Sequence, residues 1–70
     1  MKPKLGRIIE ENDNRVIWTS YNKLTQIFFD KVFNRVIILH NNTITKHFVE
    51  NITNETIEEW IEKVTLQTSN

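Results

Sequence analysis

Ser20-Tyr-Asn-Lys-Leu-Thr-Gln-Ile-Phe-Phe-Asp-Lys-Val-Phe33 is the stretch on which the fold turns. Read at 3.6 residues per turn, it places Tyr21, Leu24, Ile27, Phe28 and Val32 on one face. Asn22, Lys23, Gln26 and Asp30 fall on the other, which is the pattern of an amphipathic helix. Read by residue type, it looks like a strand, because Thr, Phe and Val form helices poorly and strands well. Ser20 offers an N-cap and Asn34 a residue able to end a helix, and these end signals favour the helical reading.

Working outward, two hairpins flank this stretch. Residues 7–10 and 15–19 enclose Glu11-Asn-Asp-Asn14, a turn-forming tetrapeptide. Residues 35–39 and 43–49 enclose Asn41-Asn42, which can adopt positive φ and form a type I′ turn without glycine. The apolar run Val36–Leu39 suits an inner strand. The alternation of Ile44, Lys46 and Phe48 with Thr45, His47 and Val49 suits an edge.

The C-terminal segment reads as a helix over residues 54–66. Ile57, Trp60, Ile61 and Val64 form one stripe, Thr53 is a good N-cap, and Ile52 with Ile57 forms a hydrophobic staple. Glu59 and Lys63 are spaced for an i, i+4 ion pair. The expected class is therefore α+β: an antiparallel sheet of four or five strands with a C-terminal amphipathic helix packed on one face. The order ββαββα is preferred over a five-strand meander followed by the helix. The whole chain, residues 1–70, reads as one domain, with residues 1–4 and 67–70 expected to fray.

Composition narrows the chemistry. There is no Cys, a single Gly and two His. Disulfides, thiolate metal sites and glycine-rich phosphate loops are thereby excluded. His40 and His47 stand too far apart along a hairpin to share an ion, so no metal and no cofactor is expected. No nucleophile–base arrangement is recognisable, and the expectation is a protein that is not an enzyme. No apolar run reaches the ~20 residues a membrane span requires, and the basic N-terminus lacks the apolar core of a signal peptide. A cytoplasmic protein without membrane contact is expected. The wealth of Asn, Ile, Thr and Lys suits an AT-rich coding sequence, such as a phage or mobile element of a low-GC bacterium.

The balanced net charge hides a division. Residues 1–49 hold eight Lys/Arg against four acids, and residues 50–70 hold five Glu against Lys63. A small chain polarised in this way can be oriented by a charged partner. The expected function is that of a small protein-binding regulator or inhibitor. Its contact residues would be Glu55, Glu58, Glu59 and Glu62 on the helix, with the aromatic side chains of Tyr21 and Phe33. The alternative is a nucleic-acid-binding module that uses Arg7, Arg15, Lys23, Lys31, Arg35 and Lys46 on a basic sheet face. A homodimer is a further possibility, since a chain this short buries little of its own surface.

Overall fold

A computed structural model of the chain describes residues 6–68, with side chains through Leu66. The elements are β1 (Gly6–Glu11), β2 (Arg15–Ser20), β3 (Thr25–Asp30), β4 (Arg35–His40), β5 (Thr43–Phe48) and α1 (Asn54–Thr68). The five strands form one antiparallel sheet in the order β1-β2-β3-β4-β5. The fold is α+β, a five-strand meander closed by one C-terminal helix.

The helix expected within residues 20–33 is replaced by a turn, strand β3 and a second turn. The period-2 pattern prevails over the period of 3.6. Thr25, Ile27 and Phe29 are buried, while Gln26, Phe28 and Asp30 are half-buried on the other face. Three members of the supposed helical stripe, Tyr21, Leu24 and Val32, lie exposed in the turns. The end signals serve the turns instead. The Ser20 hydroxyl accepts a hydrogen bond from the Thr25 amide across the hairpin, and Asn22 Oδ1 accepts one from the Leu24 amide. Lys23 and Asn34 take positive φ of 64° and 55°.

The other turns follow from side chains that mimic backbone. Asn12 Oδ1 accepts bonds from the Asn14 and Arg15 amides, and Asp30 Oδ1 accepts bonds from Val32 and Phe33. Asn41 and Asn42 both have positive φ, 50° and 66°, between the paired residues His40 and Thr43, as a type I′ turn requires. In β1 the register slips between Ile8 and Glu10, a β-bulge on an edge strand. Gly6 is needed where it stands, because a Cβ there would fall on the Thr19 carbonyl oxygen and on Trp18 Cζ2.

One face of the sheet is covered by α1. Val16, Trp18, Ile27, Phe29 and Val36 meet Ile52, Ile57, Ile61 and Val64 in a single cluster, with Ile38, Val49 and Trp60 at its margin. The Thr56 amide donates to Thr53 Oγ1, so the N-cap forms as the sequence indicates, and both staple residues are in the core. The helix runs to Thr68, two residues beyond its expected end at residue 66. No described helix is long and apolar enough to cross a membrane. Of the residues expected to fray, 1–4, 69 and 70 lie outside the described residues, and Gln67 and Thr68 continue α1.

Candidate functional site

Five strands and one helix give a sheet with two faces and a single cover. The register defines the uncovered face. Across it run Arg7, Thr19, Gln26, Leu39 and Ile44, then Glu10, Ile17, Phe28, Ile37 and Lys46, and finally Arg15, Asp30, Arg35 and Phe48. Its middle is apolar. Ile17 is shielded by its neighbours, Phe28, Ile37 and Leu39 are half-buried, and Ile44 and Phe48 on the edge strand are 62% and 76% exposed. Phe48 lies outside the core because it projects from β5 on the face opposite to α1.

The acids on this face are already engaged. Arg15 Nε donates to Glu10 at 2.7 Å, and Arg35 Nη2 donates to Asp30 at 2.8 Å. The Asp30 carboxyl is held below its ordinary value chiefly by that hydrogen bond from Arg35. Partial burial opposes the effect, and the Phe33 and Val32 amides reinforce it. The Arg35 guanidinium also lies 5.1 Å from the centre of the Phe33 ring. Arg7 and Lys46 have no ion-pair partner among the described residues. The face is therefore an apolar field with two free cations, one on each edge strand. At its β3–β4 end a hollow of about 290 Å³ opens between Arg15, Phe28, Val32, Phe33 and Ile37.

The six basic residues singled out in the sequence do not form one track. Arg7, Arg15, Arg35 and Lys46 reach the open face, two of them paired. Lys23 sits in the β2–β3 turn and Lys31 in the β3–β4 turn, at opposite ends of the sheet. Tyr21 and Phe33, 69% and 67% exposed, are likewise separated, each in one of these turns. Glu55, Glu58, Glu59 and Glu62 are all exposed on α1. The expected Glu59–Lys63 ion pair is not formed. Lys63 Nζ instead lies 4.7 Å from the centre of the Trp60 ring.

Sequence reasoning missed the open face because the central stretch was assigned to a second helix. The missing signal was the alternation Gln26, Phe28, Asp30, continued in Arg35, Ile37, Leu39 and in Ile44, Lys46, Phe48. It also missed what the helix leaves beside β5. His40 and His47 lie on the covered face, at opposite ends of the β4–β5 pair, and His47 packs on Trp60 with ring centres 4.8 Å apart. No protein-family model, curated protein or solved structure matches the chain.

Proposed function

We propose that the chain is a small, non-enzymatic protein-binding regulator whose contact surface is the open face of the sheet. The observation that carries this reading is the exposure of Ile44 and Phe48 beside Ile37 and Leu39, on a face that no element of the described chain covers. Grouped apolar side chains of this kind mark interaction surfaces on small soluble domains. The free cations Arg7 and Lys46 at the rim favour a partner with an apolar patch bordered by carboxylates. The face measures about 24 Å across the strands and about 20 Å along them. A partner covering it buries about 1,000 Å² in total, the lower range for a specific contact and suited to a reversible one.

A second reading is favoured by one further feature. The central row has an acid, Glu10, at the β1 edge and a base, Lys46, at the β5 edge. A two-fold rotation about an axis parallel to β3 would lay β1 of one copy over β5 of another, placing the Arg15-bonded Glu10 against Lys46 twice. A homodimer is therefore compatible with the same face.

The experiment is photo-crosslinking in the cell of origin, with a benzophenone side chain placed at position 48 or at position 59. The reading predicts a discrete protein adduct from position 48, suppressed by Ile44→Asp, and none from position 59. An adduct of twice the chain mass identifies a second copy as the occupant. Adducts from position 59 alone would move the contact to the acidic helix. Adducts to nucleic acid from position 48 would restore the basic-face alternative.

A further inference from the structure

The covered side of the sheet holds a second feature, independent of the open face. The helix packs on β2, β3 and β4 and meets β5 at His47, leaving Thr43 and Thr45 on the inner side of β5 exposed. A cleft of about 770 Å³ remains between them, within the size range of small-molecule sites. Its apolar part is Ile38, Val64 and Trp60, and its polar part includes His40, His47, Thr43, Thr45 and Lys63. We infer that this cleft binds a small organic anion, a phosphate or carboxylate carried on a ring or short apolar body.

Charge is the first argument. The chain has nine Asp/Glu against nine Lys/Arg and two His, and α1 carries four glutamates, yet every ionisable side chain lining the cleft is a base. The helical period turns two of the four glutamates away, and Glu59, one turn before Lys63, is exposed and does not line the cleft. Glu58 and Glu62 stand two residues either side of Trp60, which turns them about 160° away from it around the helix. Lys63 is only about 60° from Trp60 and stays on the β5 side. No carboxylate among the described residues pairs with Lys63. Its ammonium is instead held over the indole at 4.7 Å, while the His47 ring packs at 4.8 Å from the same indole. A cation held at the wall of a cleft, with no carboxylate partner among the described residues, is arranged to meet an incoming anion.

Hydrogen-bonding capacity is the second argument. Thr43 and Thr45 project on the covered face of β5, in register with His40 and Ile38. Neither hydroxyl has a hydrogen-bond partner among the described residues, whereas Thr25, on the covered side of β3, is bonded to His40 Nδ1 at 2.8 Å. Phosphate and carboxylate oxygens accept from hydroxyl, imidazole and ammonium donors alike. The indole, Ile38 and Val64 provide contact for the body that carries the anion.

The test is a titration of the full chain, isotope-labelled, with phenyl phosphate as the probe. Inorganic phosphate and benzyl alcohol separate the contribution of charge from that of the ring. The expected result is saturable shifts at His40, Thr45, His47 and the Trp60 indole, with millimolar or tighter affinity for phenyl phosphate and weaker binding of both controls. Lys63→Gln, at an exposed position, should weaken phenyl phosphate about tenfold or more and leave the fold unchanged. Thr45→Val is the second variant and should weaken it less. An absence of shifts in the cleft up to about 10 mM overturns the inference. So does binding that Lys63→Gln leaves intact, or shifts confined to the open face.

Discussion

Phe28 and Phe29 are adjacent in sequence, and the fold requires them to behave differently. Phe29 has no exposed surface and lies in the cluster under α1, while Phe28 is half-buried on the open face. Truncating a fully buried Phe to Ala removes its transfer energy and leaves a cavity, together costing about 3–5 kcal/mol. A domain of this length has a total stability of about 4–10 kcal/mol. Phe29→Ala should therefore bring the protein close to its unfolding midpoint at room temperature. Phe28→Ala loses contact with Ile17 and Ile37 but opens no enclosed cavity, and should cost about 1 kcal/mol. That corresponds to a fall in Tm of about 4–8 °C. Urea titrations followed by circular dichroism and by Trp fluorescence measure both. Should Phe29→Ala fail to fold, Phe29→Leu keeps most of the volume and should still rank below Phe28→Leu. A helix over residues 20–33 would reverse the order, because Phe28 lies on its apolar stripe. Equal or reversed costs would refute the strand assignment and the two-face description with it.

Asp30 gives a pH dependence with a defined sign. Its carboxyl is held below the ordinary value of 3.8, so its contribution is complete above that value and is lost as pH falls through the lowered one. Asp30→Asn should lower the urea midpoint at pH 7 and match the parent once both are below the acid limb. Thr53→Ala removes the acceptor for the Thr56 amide and should cost about 1 kcal/mol, read from the same titrations. Asn42→Gly should be neutral or slightly stabilising because φ is 66° there, whereas Asn42→Val should destabilise by more than about 1 kcal/mol.

The parts legible in the sequence were those where one signal acts alone. Thr53, Ile52 and Ile57 mark the start of α1 without competition, and Asn41-Asn42 between apolar runs specifies a tight turn. In residues 20–33 two signals conflict. The helical stripe there is assembled from Tyr21, Leu24 and Val32, which belong to turns, together with Ile27 and Phe28, which belong to opposite faces of β3. What decides between them lies outside the stretch itself: β2 and β4, the strands on either side of it in the chain, pair with β3 along both edges. The same cause hid the candidate surfaces. The open face is assembled from alternate residues of five strands, and the basic cleft from β4, β5 and the side of α1 that faces β5. The charge division along the chain was legible, but the sequence does not reveal that Arg15 and Arg35 are held by Glu10 and Asp30 or that Lys63 turns away from Glu59.

The central claim is that the open face is kept for contact with a partner and is not required for folding. The double variant Ile44→Asp/Phe48→Asp tests it most directly, by measuring urea stability and face-specific crosslinking from position 46 together. Both side chains are largely exposed, so stability should stay within about 0.5 kcal/mol of the parent while the adduct disappears. A variant that unfolds, or one that retains the adduct in full, would contradict the account.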